Sequence, residues 1–266
     1  MSSALWFILF GLGLVGGFLA GLLGIGGGLI YIIILQYVFK EYVQDTYEIT
    51  RFILANSIFA TLFASLSSIV RQIKQKTFYG SALLWVGVPS AIVSMSISYF
   101  IQQSNWYDKR TFLVVFSAIL VLTIVKTLKA ARHTQKKADE NKVFTELAYW
   151  KYALTGCIAG IVSPLTGLGG GIVIVPMLST LFNLSVKRAV NISVSSIIVS
   201  AFFNTLVYMY SSPSSAIEIS MHTGYIAWGI VLPVILGVLI ASYLGTMIAY
   251  KLEGYSLQYI FAGFLG

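Results

Sequence analysis

The sequence is divided into long apolar runs that carry no charged residue. Leu5–Gly24, Phe52–Val70, Ser81–Ile101, Ala189–Tyr210 and Thr223–Tyr250 all read this way, and Thr111–Leu128 carries only Lys126. A membrane-crossing helix needs about 20 such residues. Only 10% of the 266 residues are charged, against roughly 25% in soluble domains. A chain so poor in charge cannot cover itself with polar surface, so lipid must be its solvent over most of its area. Inside lipid each segment must satisfy its own backbone, which helices do. The expected fold is therefore an all-α integral membrane protein. The N-terminal run lacks a basic start and no A-x-A site follows it. It reads as a retained membrane segment, not a signal peptide.

Two apolar segments are too short to span. Gly28–Phe39 and Gly171–Phe182 have 12 residues each, about 18 Å of helix at 1.5 Å per residue. Each begins at a cluster of glycines, "GIGGG" from Gly24 and "GLGGG" from Gly167. Glycine disfavours a helix interior by about 1 kcal/mol relative to alanine. The clusters therefore mark helix breaks, and the short segments read as half-helices that start near mid-membrane. Pro164 is expected to help break the preceding segment, Tyr152–Pro164.

The two clusters belong to an internal repeat. Arg51 opens one long helix and Lys187-Arg188 its counterpart. Asn56-Ser57 corresponds to Asn191 and Ser193, and Trp85 and Pro89 correspond to Trp228 and Pro233. Small-residue stripes recur as Ser90, Ser94, Ser98 and as Gly237, Ala241, Gly245. Such stripes let helices approach closely in lipid, and one left exposed could serve a homodimer. Each half holds a glycine-broken hairpin plus three further helices. The second half is thereby inverted relative to the first, as in many secondary transporters. The expected organisation is a first repeat over 1–128, a charged linker over 129–148 and a second repeat over 149–266. The last piece, Leu257–Gly266, matches the start of Thr111–Leu128 and then stops.

The net charge of +8 bears on topology and anionic lipid, and not on nucleic acid, because the basic residues lie between apolar segments. Thirteen of them fall on one side: Arg71, Lys74, Lys76, Lys126, Lys129, Arg132, Lys136, Lys137, Lys142, Lys151, Lys187, Arg188 and Lys251. Lys40, Arg51, Lys109 and Arg110 fall on the other. The positive-inside rule then makes the linker cytoplasmic and puts both termini outside, in a cell membrane. The single cysteine, Cys157, excludes an internal disulfide and any multi-cysteine metal site. It reads as a packing residue.

A helix that begins inside the membrane leaves its first N–H groups without carbonyls. Those groups, with the positive end of the helix dipole, suit an anion. Bare glycines let a ligand touch the backbone. The candidate site is accordingly Gly26, Gly27, Gly28, Gly169, Gly170 and Gly171, lined by Asn56, Ser57, Ser163, Thr166, Asn191 and Ser193. Arg51 is expected near the outer mouth, and Lys187 and Arg188 near the inner one. No Asp, Glu or His lies in the middle of an apolar segment, so neither a buried proton relay nor a cation site is evident. No metal-ligand, nucleophile or nucleotide motif is present either. The expectation is a non-enzyme without a cofactor.

An apolar helix running into "GLLGIGGG", the second copy "SPLTGLGGGIVIVPML" and then "KRAVNISV" resemble the sulfite exporter TauE/SafE family over essentially the whole chain. The resemblance implies passage of sulfur-containing anions such as sulfite or organosulfonates, commonly outward. It carries Gly24, Gly26, Gly27, Gly28, Gly167, Gly169, Gly170, Gly171, Asn191 and Ser193 over as the central site. Family members often show Gly-Thr-Ser where this chain has "NIS" (Asn191 to Ser193) and "ANS" (Ala55 to Ser57). That departure bears on substrate more than on fold. Three readings follow: a secondary anion transporter, an anion channel on the same half-helices, and a membrane scaffold without flux.

Overall fold

In the computed structural model the described residues are 3–103, 107–108, 110–119, 121, 148–213, 219, 221–252, 256–257, 260 and 263. The charged linker, apart from Ala148, lies outside them, as do Lys109 and Glu218. The chain folds as helices α1 (Ser3–Leu23), α2 (Gly28–Tyr42), α3 (Thr46–Lys74), α4 (Gly80–Gln103) and α5 (Arg110–Ile119). Then come α6 (Tyr149–Thr166), α7 (Gly171–Leu181), α8 (Val186–Tyr210) and α9 (Trp228–Lys251). A small antiparallel hairpin, β1 (His222–Thr223) and β2 (Ile226–Ala227), precedes α9. Five helices, α1, α3, α4, α8 and α9, are long and apolar enough to cross a membrane. The protein is a multi-pass, all-α membrane protein.

Helix ends differ from the apolar pattern where polar residues cap or extend them. The stretch from Lys40 to Arg51 is absorbed almost entirely into helix, α2 to Tyr42 and α3 from Thr46. Asp45 makes this possible. Its carboxylate accepts from the N–H groups of Tyr47 at 2.8 Å and Glu48 at 3.4 Å, an N-cap arrangement. Pro164 does not end α6. The helix runs on to Thr166, and Gly167 ends it in a left-handed conformation with φ of 68°. Segments of π-helix interrupt α4 at Leu83–Gly87 and α7 at Met177–Leu181.

The halves pack by exchanging partners. Gly13 and Gly17 of α1 lie against the backbone of Val234 and Val238 in α9, while Gly156 and Gly160 of α6 lie against Val86 and Ser90 in α4. Only glycine permits such approach. A Cβ at Gly13 would sit 2.2 Å from the Val234 carbonyl oxygen, and one at Gly156 2.4 Å from that of Val86. This packing also uses the stripes that could have served a dimer. Gly237 and Gly245 press on the Phe10 and Phe18 carbonyls, and Ser90, Ser94 and Ser98 are buried. Neither stripe is free to meet a second copy.

At the centre, α3 and α8 bury most of their surface and run antiparallel. Arg51 near the start of α3 shares Tyr225 with Tyr208 near the end of α8. Gln72 near the end of α3 meets Ser195 near the start of α8. The glycine breaks fall between these two ends, against Ser57, Thr61, Ser193 and Ile197.

Candidate functional site

Both breaks are built the same way. α1 closes with the Gly24 N–H donating to the Ala20 carbonyl at 2.9 Å, and α6 closes with Gly167 donating to Ser163 at 2.8 Å. Gly24 and Gly167 are left-handed, as are the residues that start the next helices, Gly27 at φ 72° and Gly170 at φ 81°. A side chain is disfavoured in that region of backbone space.

The breaks touch each other reciprocally. A Cβ at Gly28 would lie 2.6 Å from the Gly167 carbonyl oxygen, and one at Gly171 2.3 Å from the Gly24 carbonyl oxygen. Two serines lock this contact crosswise. Ser57, from the first half, donates to the Gly167 oxygen at 2.8 Å, and Ser193, from the second, donates to the Gly24 oxygen at 2.7 Å. Thr61 adds a bond to the Gly26 oxygen at 2.8 Å. The hydroxyl protons are thus committed to carbonyls. The N–H groups are not. Among the described residues, those of Gly26, Gly27, Gly28 and Leu29 donate to no other protein group, nor do those of Gly169, Gly170, Gly171 and Ile172. All six glycines among them are buried. The centre therefore presents surplus buried donors, which is the chemistry of an anion site.

Of the other residues expected to line this centre, some join it and some do not. Thr166 sits at the second break, donating to the Val162 carbonyl at 2.8 Å and accepting from the Leu168 N–H at 3.3 Å. Ser163 is fully buried, and its hydroxyl has no hydrogen-bond partner. Asn56 points elsewhere. It donates to the Tyr225 carbonyl at 2.9 Å and accepts from the Ala227 N–H at 3.0 Å, clamping the hairpin. Asn191 faces the opposite end, donating to the Tyr250 hydroxyl at 2.8 Å.

The expected pathway cations also have unequal surroundings. Arg51 is buried and its Nη1 is 2.9 Å from Glu48 Oε1. Tyr225 lies against both, donating to Glu48 at 3.3 Å and accepting from Arg51 at 3.4 Å. Burial, with the nearby Glu48 charge, pushes the Tyr225 phenol up to about 12, so it keeps its proton and acts as a donor. Lys187 donates to the Tyr250 carbonyl at 3.2 Å, near the end of α9. Arg188 Nη1 is buried without a hydrogen-bond partner.

The sequence reading leaves out Thr61, Gln72 and Tyr225, and places Glu48 only in a loop or at a helix end. Thr61 alone had a local signal, since it lies four residues beyond Ser57 on one helix face. Tyr31 also escaped it. Its hydroxyl, buried and without a hydrogen-bond partner, lies beside Gly27.

Residues 9–266 match the family described as Sulfite exporter TauE/SafE. A protein of Methanocaldococcus jannaschii, named a probable membrane transporter protein, is 28% identical over 96% of this chain and 90% of its own length. A Bacillus subtilis protein with the same description is 27% identical over 92% of this chain and 89% of its own. One from Haemophilus influenzae, also so described, is 28% identical over 95% and 92%. No solved structure matches the chain significantly.

Proposed function

The chain belongs to the sulfite exporter TauE/SafE family of membrane transporters, and from that premise we propose that it is a secondary transporter exporting small sulfur-containing anions such as sulfite or organosulfonates. The observation that carries the proposal is the meeting of two glycine breaks with unpaired N–H groups at mid-depth between α3 and α8. Preorganised backbone donors in a water-poor setting favour an oxyanion without a metal or a cofactor. In this state backbone packs on backbone, so an anion reaches the donors only when the breaks part. Alternating access would part them toward one face and then the other, with the two repeats inverted about the contact.

Gly26, Gly27, Gly28, Gly169, Gly170 and Gly171 would form the binding surface. Ser57, Ser193, Thr166 and Ser163 would hold and border it. Asn56 and Asn191 would act from the two ends, where Arg51, Lys187 and Arg188 steer the anion. The end carrying Arg71, Lys74, Lys187, Arg188 and Lys251 faces the cytoplasm on the positive-inside rule.

The test is uptake of labelled sulfite and of a sulfonate such as sulfoacetate into proteoliposomes, with sulfate and chloride as controls. Saturable flux that is lost in Gly170→Leu is the expected result. Unsaturable conductance in a planar bilayer would instead identify a channel. Wild-type flux in a folded Gly170→Leu protein would overturn the site assignment.

A further inference from the structure

The two ends of the α3–α8 pair are electrostatically unlike. At the Arg51 end the guanidinium is balanced by Glu48 within 2.9 Å, Tyr225 bonds to both, and Asn56 ties the hairpin down over them. The positive charge there is answered inside the protein. The opposite end holds donors that are not answered. Arg188 Nη1 is buried and unpartnered, and no carboxylate among the described residues forms a salt bridge with it. Gln72, 0% exposed, likewise leaves its Nε2 unpartnered. Its other amide atom accepts from Ser195 at 3.5 Å, so the side chain is turned toward α8.

These groups lie along one side of α8, with Gln72 set against Ser195. Arg188, Asn191 and Ser195 follow at spacings of three and four residues, which places them on one face of α8. Asn191 reaches the Tyr250 hydroxyl at 2.8 Å. Ser185 makes no side-chain cap at the start of the 25-residue α8, so the positive end of that helix is uncovered as well. A buried guanidinium N–H and a buried amide N–H without acceptors are costly unless a ligand supplies them.

We propose that Arg188 and Gln72 form a second anion-binding site, a vestibule at the α8 N-terminal end of the pathway that takes a small oxyanion before or after the glycine breaks. This rests on the transporter reading above and adds to it. In the conformation described, the donors at the Arg188 end are unanswered, while the Arg51 charge is answered by Glu48 and Tyr225. A planar guanidinium suits an oxyanion through paired N–H bonds, which a lysine cannot reproduce.

The experiment is calorimetric titration of sulfite into the purified full chain, with thermal melting recorded for every variant. Arg188→Gln is expected to raise Kd at least tenfold. Arg188→Lys should fall between it and the parent. Gln72→Glu, which sets a carboxylate against the anion, should also raise Kd at least tenfold. Lys40→Gln, exposed at the end of α2, controls for loss of one positive charge and should leave Kd within twofold. A Kd within twofold of the parent in normally melting Arg188→Gln and Gln72→Glu proteins would overturn the vestibule. If the parent neither binds nor carries sulfite or sulfoacetate, the transporter reading fails first and the vestibule with it.

Discussion

Gly24–Gly28 and Gly167–Gly171 follow one backbone plan, yet different side chains surround them. At the first break Thr61 donates to the Gly26 oxygen, and the Tyr31 hydroxyl lies beside Gly27 with its ring against Gly16. At the second break the Thr61 methyl and Ile197 both face Gly169, and Ala159 takes the position against Gly170 that Gly16 takes against Gly27. Ile174 follows Gly171 at the spacing by which Tyr31 follows Gly28. The backbone contact and the crossed serines recur, whereas the surrounding polarity does not. The repeat therefore keeps what holds the breaks together, and lets what a ligand would meet diverge. At the second break, where Thr166 supplies a hydroxyl, isoleucines stand where the repeat would place Thr61 and Tyr31.

The harshest way to break the comparison is to add one methyl group at the contact. Gly171→Ala and Gly28→Ala each force a Cβ against the other break's carbonyl, at 2.3 and 2.6 Å. Overpacking of this kind costs roughly 1–3 kcal/mol. Flux in proteoliposomes should fall at least about tenfold in both, with Gly171→Ala the worse. Equal, near-parental flux would mean that the breaks do not meet during transport.

Next come the crossed serines. Ser57→Ala and Ser193→Ala each strand a buried carbonyl, so each should destabilise by about 1–3 kcal/mol. The two losses should match, as read from thermal melting in detergent. A difference above about 1 kcal/mol would show that the halves share geometry but not energetics. Tyr31→Phe sharpens the contrast differently. Removing a buried hydroxyl that lacks a protein partner should leave the melting temperature unchanged or raise it. If that hydroxyl meets the anion, KM should still increase. An unchanged KM would confine the ligand to backbone and serines. Thr61→Val should destabilise by about 1 kcal/mol for one lost hydrogen bond, with Ile197→Thr as its mirror.

The membrane class, the helices and both breaks were legible because each leaves a local mark: apolar length, or three adjacent glycines. Ser57 and Ser193 were legible through the repeat. The role of Asn56 was not, because it depends on Tyr225 and Ala227, about 170 residues away in sequence. Glu48 read as a helix-end residue and is one, in the first turn of α3. Its complete burial comes from a hairpin whose short strands leave almost no periodicity to detect. The small-residue stripes illustrate the same limit. Their spacing announces close packing but not the partner, which is the other half of the same chain.

The crossed serines also say something about birth order. A chain threaded into the bilayer from its N-terminus completes α1 and α2 long before Ser193 is synthesised. Until α8 arrives, the Gly24 carbonyl lacks its donor, and Ser57 waits for a carbonyl that does not yet exist. The first half must therefore pass its early life in the membrane unfinished, shielded by water or by the insertion machinery. Two halves expressed as separate polypeptides would each be incomplete alone, and each would be the other's missing part.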